Sequence, residues 1–142
     1  MKIAHVALWT RHLKIQQQFW REWFNAESNA RYQSRNRPGF ASFFMQLEQG
    51  ATIELLTLPD LAEGQPGREV TGWAHIAITP GHELPLDAMA ARAAETGILA
   101  SGPRRPGAGY YQSTLRDPDC NLFDLIAQSL TKHSSSSPDP TP

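Results

Sequence analysis

Two histidines and two carboxylates recur at the same spacing in this chain of 142 residues. His5 and His75 stand 70 positions apart in the similar segments IAHVAL and WAHIAI, and Glu54 and Asp124 stand 70 apart in ATIELL and NLFDLI. Imidazole nitrogens and carboxylate oxygens are ligands of Zn, Ni, Co, Mn and Fe(II). The pattern predicts a divalent-metal site with these four side chains as ligands.

Strand periodicity indicates which face of a sheet would carry the four residues. Successive side chains of a strand point to opposite faces. Val6 and Leu8 therefore form an aliphatic row that suits packing against a helix, with His5 on the other face. The same alternation separates Glu54, His75 and Asp124 from their aliphatic neighbours, and acidic residues are depleted in strands. We expect all four polar residues on the face turned away from the helices.

The elements that position these residues form a repeat. Each half of the chain begins with a strand and continues with an amphipathic helix, for which Thr10 is a candidate N-cap and Asn25 and Gly97 are candidate C-terminal residues. Two or three further strands follow each helix, so each half is predicted to be a βαβββ unit of an α+β protein. The predicted strands are 3–9, 40–48, 51–58, 73–79, 109–116 and 121–128, and the predicted helices are about 11–24 and 84–96.

Composition limits the organisation and the partners of the chain. One domain is expected over residues 1–128, made of modules 1–58 and 73–128 that the loop 59–72 joins, with a disordered tail at 129–142. A net charge of −1 disfavours nucleic-acid binding. No apolar segment is long enough to span a membrane, no secretory signal is visible, and a single cysteine excludes an internal disulfide. We therefore expect a cytoplasmic protein.

Several segments of the chain resemble the vicinal oxygen chelate superfamily, which includes glyoxalase I, bleomycin-resistance proteins and extradiol dioxygenases. The resemblance rests on IAHVALWT, IELLTLPD, GWAHIAI, SGPRRPGAGYY and DPDCNLFDLIA. In the last segment, Cys120 stands where the family commonly has glycine and Asp124 where it commonly has glutamate. The resemblance implies paired βαβββ modules that form a mixed, curled β-sheet cup with helices outside, and it implies a homodimer.

The resemblance also implies an activity on a small oxygenated substrate. His5, Glu54, His75 and Asp124 would hold a divalent metal that polarises a carbonyl, and Glu54 or Asp124 would remove the neighbouring proton. A glyoxalase-like lyase or isomerase is therefore predicted. Asp124 is one methylene shorter than glutamate, which argues against glyoxalase I activity proper because small displacements of a catalytic group are costly.

Two other functions stay open on the sequence. An extradiol-type dioxygenase needs Fe(II) on two histidines and one carboxylate, and Glu54 as a fourth candidate ligand argues against it. A metal-free binding protein of the bleomycin-resistance kind would use an aromatic pocket, although the four matched ligands count against this function. The candidate pocket residues are Trp9, Trp73, Tyr110, Tyr111 and Arg11.

Overall fold

The computed structural model describes residues 1–107 and 110–128, in two compact units. Met1–Ala74 and Arg116–Leu122 form unit 1, and the described residues of 75–115 and 123–128 form unit 2. The predicted tail 129–142 lies outside the described residues. So do Gly109, the first residue of the predicted strand 109–116, and Ala108 in the loop before it. Each unit contains one long helix and one sheet.

Unit 1 is built on a mixed sheet with the strand order β1-β5-β4-β2, and β3 also pairs with β4. The first strand runs parallel to β5, while β4 is antiparallel to its neighbours. The strands are β1 His5–Trp9, β2 Glu27–Ser28, β3 Tyr32–Gln33, β4 Ala41–Gln46 and β5 Thr52–Thr57, and the helix is α1 Leu13–Phe24.

Unit 2 repeats this plan with the strand order β6-β9-β8-β7. Here β6 runs parallel to β9, and β7 is antiparallel to β8. The elements are β6 Ile76–Ile78, α2 Glu83–Thr96, β7 Leu99–Arg104, β8 Tyr111–Arg116 and β9 Leu122–Ala127. The predicted α+β class and the two βαβββ modules are confirmed.

Buried aliphatic and aromatic side chains of β5 and β9 show which face of each sheet packs into the core. Ile53 and Leu55 of β5 are buried, and Glu54 between them is partly exposed. In β9, Phe123 and Leu125 are buried on one face. Removing such side chains from water stabilises the fold by about 1.5–3 kcal/mol each. The predicted aliphatic rows of β5 and β9 are therefore core faces.

Helix α1 begins two residues later than predicted. His12 is its N-cap and has no side-chain cap, while the Thr10 hydroxyl accepts the His12 N–H at 2.9 Å. The prediction of Thr10 as N-cap is wrong, because its hydroxyl closes a short turn before the helix. Asn25 ends the helix in the left-handed conformation, at φ 50°, as predicted.

Helix α2 packs into its unit through one leucine and two alanines. Leu86, Ala90 and Ala93 are buried and recur at helical spacing. Gly97 follows the helix at φ 78° and caps it, as predicted. Neither helix of the described ranges is long and apolar enough to cross a membrane.

Cys120 occupies a backbone conformation that suits glycine. Its φ is 65°, and its thiol is exposed and free. A side chain costs about 1–2 kcal/mol in this left-handed region. We expect Cys120→Gly to raise the free energy of unfolding by about 1 kcal/mol, less what glycine adds to the unfolded-state entropy. Urea unfolding would measure the change, and Cys120→Ala, which keeps the Cβ atom, should give no gain.

Candidate functional site

Unit 1 brings His5 and Glu54 together on one face of its sheet. Ala7 is in register with Glu54, and His5 lies two residues earlier on the same face of β1. The His5 Nε2 atom lies 3.4 Å from the Glu54 Oε2 atom. The histidine side chain is 50% exposed and the glutamate 17%, so the pair is open to solvent on the histidine side.

Unit 2 contains the equivalent pair at the equivalent register. His75 directly precedes β6, and Ala77 is in register with Asp124 of β9. The His75 Nε2 atom lies 3.2 Å from the Asp124 Oδ2 atom. Asp124 is the most buried of the four side chains, at 7% exposure. The repeat in the sequence therefore corresponds to a repeated histidine–carboxylate pair.

The two carboxylates differ in how firmly they are held. The Thr114 hydroxyl donates to Asp124 Oδ1 at 2.6 Å, and the Gln112 amide donates to Oδ2 at 3.5 Å. Arg104 in turn donates to the Thr114 hydroxyl at 3.0 Å. These bonds fix both the position and the direction of the Asp124 carboxylate.

Glu54 has an apolar neighbour at the corresponding place. Phe44 is in register with Glu54, and its ring lies edge-on to the His5 ring at 6.0 Å. Phe44 precedes Thr114 by the same 70 positions that separate the two pairs. A phenyl ring cannot donate a hydrogen bond, so β4 leaves the Glu54 carboxylate unanchored on this side.

Each of the two pairs offers donor atoms of the kinds that bind divalent metals. In each pair a nitrogen and an oxygen face each other closely enough to share one partner, and both atom types suit Zn, Ni, Co, Mn or Fe(II). No group of three or more His, Cys, Asp or Glu side chains in the described ranges could hold a metal ion. His5, Glu54, His75 and Asp124 are thus two two-residue groups.

The predicted pocket residues of unit 1 have different surroundings. Trp9 is 47% exposed and lies on the face of β1 that carries His5. Its ring is edge-on to Phe40 at 6.3 Å, and Arg37 lies 6.0 Å from its centre. Trp73 is almost fully exposed.

Arg11 is engaged within its own unit. Its guanidinium donates to the Leu61 carbonyl, with one bond of 3.1 Å, and to the Glu63 carboxylate. This exposed ion pair contributes little stability. Because the Arg11 guanidinium is already paired with Glu63, it is not free to bind a substrate anion.

Tyr111 lies away from the Asp124 pair. It hydrogen-bonds Asp87 of α2, whereas Gln112 and Thr114, on the opposite face of β8, contact Asp124. This hydrogen bond raises the pKa of the Tyr111 phenol, and Arg105 lies 4.9 Å from its ring. Tyr110 is exposed. The geometry does not support a pocket role for Tyr111.

Sequence reasoning missed a polar network at the start of α1. The Asp119 carboxylate accepts from the Thr10 hydroxyl at 2.5 Å and from the Gln16 amide at 2.7 Å, and it lies 2.8 Å from His12 Nδ1. Gln16 also donates to Asp117 at 3.0 Å. His12 is therefore a partner of Asp119. The visible signal was the aspartate-rich segment DPDCN.

The pKa values of the two aspartates in this network are shifted in opposite directions. Burial raises the pKa of Asp117, although hydrogen bonds from Asn121 and Gln16 work against the rise. Burial also acts to raise the pKa of Asp119, but its hydrogen bonds with Thr10, His12 and Gln16 bring it below the ordinary value. Asp119 is therefore the carboxylate that the network holds in its charged form.

Comparisons with known proteins identify the fold. No family model matches the chain, and no curated protein matches it. A glyoxylase/bleomycin resistance protein/dioxygenase domain from Frankia sp. EAN1pec aligns with a TM-score of 0.79 at 17% identity, over 94% of this chain and 96% of that one. The chain has the vicinal oxygen chelate fold.

Two further solved structures share the vicinal oxygen chelate fold with this chain. The fosfomycin resistance protein FosX from Listeria monocytogenes, in complex with Mn(II) and 1S,2S-dihydroxypropylphosphonic acid, aligns at 23% identity with a TM-score of 0.66, covering 90% of this chain and 93% of that one. Lactoylglutathione lyase from Agrobacterium tumefaciens aligns at 18% identity with a TM-score of 0.61, covering 88% and 92%. The resemblance found in the sequence is confirmed at the level of the fold.

Proposed function

We propose that this protein is a metal-dependent lyase or isomerase of the glyoxalase type, acting on a small oxygenated substrate. The observation that carries the proposal is the histidine–carboxylate pair at equivalent register in both units. His5, Glu54, His75 and Asp124 are the proposed ligands. Two solved structures of this fold support the proposal. The FosX complex contains Mn(II), and the Agrobacterium protein is a lactoylglutathione lyase.

The residues divide into holding and proton-transfer roles. Asp124 is a fixed ligand because Thr114 and Gln112 bind its two oxygens. Glu54 is the proposed general base because β4 places a phenyl ring rather than a hydroxyl beside it. The metal, when bound, supplies Lewis-acid polarisation of a carbonyl. Glu54 would take up at Oε2 the proton from the carbon next to that carbonyl and deliver it to the neighbouring carbon, which completes the isomerisation.

The proposal extends to the assembly and location of the protein. A homodimer follows from the resemblance, and it is the association state to test by sedimentation. We also propose a cytoplasmic location, because the fold needs no disulfide: Cys120 is the single cysteine.

Metal content tests the ligand assignment. We expect about one divalent metal per chain after dialysis, since four ligands are the usual number for one metal ion. His5→Ala and His75→Ala should each lower metal affinity by about 10-fold or more. Loss of a residue that only supports a metal ligand already costs about 10–100-fold. His82→Ala is the matched control, because His82 caps α2 through its backbone alone. Elemental analysis would measure content and competitive chelation the affinity.

Activity assays separate the proposed reaction from its alternatives. Hemithioacetal isomerisation with bound nickel or zinc would support the proposal. Iron with oxygen-dependent cleavage of a catechol would replace it with the dioxygenase. Two results together would contradict both enzymatic functions. The wild type would stay metal-free after reconstitution, and its metal content would equal that of all three histidine variants.

A further inference from the structure

A cationic cleft lies between α1 and the segment that joins β2 to β3 in unit 1. It has a volume of about 350 Å³, and its charged lining comes from Lys14 and Arg21 on the helix and Arg31 on the facing segment. Phe43 and Leu13 supply apolar surface. This volume is at the lower end of the range of small-molecule sites.

The cleft is separate from the His5–Glu54 pair. Phe43 lines the cleft and belongs to the buried face of β4 that α1 covers. The next residue, Phe44, points to the opposite face and is in register with Glu54. Because successive side chains alternate, the cleft and the pair lie on opposite faces of the sheet.

The three cations of the cleft have no internal counter-charge. No acidic residue lines the cleft. In the described part of the chain, Lys14, Arg21 and Arg31 form no ion pair, although exposed Arg11 and Arg105 each pair with a glutamate. Lys14 and Arg21 are seven residues apart and so share one face of α1. An anion in the cleft would be attracted by all three cations.

The first turn of α1 adds to the positive field. It contains Lys14 and no acidic residue, which is the reverse of what the helix dipole favours for stability. Asn29 lies on the facing wall of the cleft. The Phe44 N–H holds its side chain in place by donating to its Oδ1 at 2.8 Å. Its amide nitrogen has no acceptor among the described residues and can donate to a ligand. The lining thus combines cations with a neutral donor.

We propose that this cleft binds a small organic phosphate. A phosphate monoester carries up to two negative charges and several acceptor oxygens, which match two guanidinium groups, an ammonium group and an amide. The organic part packs against Phe43 and Leu13. A net charge of −1 for the chain makes an extended polyanion such as a nucleic acid a poor partner.

Calorimetric titration of the whole protein with phenyl phosphate tests the proposal. We expect saturable binding of one phenyl phosphate per chain, weakened by salt because the contacts are charge-assisted. Arg21→Gln and Arg31→Gln should each weaken binding about 10-fold, the effect of losing one hydrogen bond to a charged group. Arg35→Gln and Arg68→Gln, which change exposed arginines outside the cleft, should bind as the wild type does. Phenol, which lacks the phosphate, should not bind.

A second titration separates the cleft from the proposed metal site. Glu54→Gln should bind phenyl phosphate as tightly as the wild type, with or without a chelator. Loss of binding in Glu54→Gln or with the chelator would assign the phosphate to the metal site and overturn the proposal. Equal binding in the Arg21, Arg31 and control variants would overturn it too, as would tighter binding of a single-stranded oligonucleotide than of phenyl phosphate.

Discussion

Glu54→Gln is expected to lower kcat of the proposed isomerisation by about 10²–10⁴-fold, the usual contribution of a general base. Glutamine keeps the shape of the side chain and an oxygen, but it cannot accept the proton. The change leaves the core intact because Glu54 lies on the face opposite buried Ile53 and Leu55. Steady-state kinetics with the metal-loaded protein would measure kcat, and thermal unfolding would verify the fold.

Two comparisons make this result specific to Glu54. Glu48→Gln changes an exposed glutamate just before the same strand and should retain wild-type kcat. Asp124→Asn should lower metal content more than Glu54→Gln does, because Asp124 is the carboxylate fixed by Thr114. An unchanged kcat in Glu54→Gln, combined with a metal-loaded but inactive Asp124→Asn, would reverse the roles of the two carboxylates.

Asp119→Ala is expected to lower the free energy of unfolding by about 3 kcal/mol at neutral pH, because a buried donor without its acceptor costs about 1–3 kcal/mol. The change removes an acceptor from the Thr10 hydroxyl and the Gln16 amide, and both residues are buried. It also removes the partner of His12. Asp60→Ala, at an exposed turn position, should change stability by less than about 0.5 kcal/mol.

The pH dependence identifies the charge of Asp119 as the cause. Its pKa is lower in the folded protein than in the unfolded chain, so its contribution is fully present above the unfolded pKa, about 3.9. The contribution is lost as the pH falls through the lowered folded value. The difference in unfolding free energy between the wild type and Asp119→Ala should therefore be largest near neutral pH and shrink in acid. A difference that stays constant down to about pH 2 would show that packing, rather than charge, is the cause.

Asp117 contributes with the opposite sign. Its pKa is raised by burial, so its ionisation opposes folding and this cost disappears as the pH falls through the folded value. The contribution of Asp117 to the unfolding free energy cancels when two proteins that both retain Asp117 are compared. Urea unfolding across pH should therefore compare the wild type with Asp119→Ala.

Local sequence signals predicted the features that depend on nearby residues. Asn25 and Gly97 end their helices in left-handed conformations because few other residues accept a positive φ. The positions of His5 and Glu54 on one face follow from the period of two in a strand. These features need no knowledge of distant parts of the chain.

Other features could not be read from local patterns. Gln16 of α1 is polar yet fully buried, and its amide donates to Asp117, 101 positions away in the chain. Strand β7 was missed because LASGPR contains glycine and proline and pairs with β8 through register shifts. Tyr111 was grouped with the site although it contacts α2.

The sequence by itself determined the repeated βαβββ order and the residues of the two histidine–carboxylate pairs, because periodicity and a common spacing are properties of the chain alone. Only the tertiary structure decided that Asp124 is fixed by Thr114 while Glu54 lies beside Phe44. The physical reason is that the register between neighbouring strands selects which side chains meet. That selection makes two chemically similar carboxylates suited to different tasks.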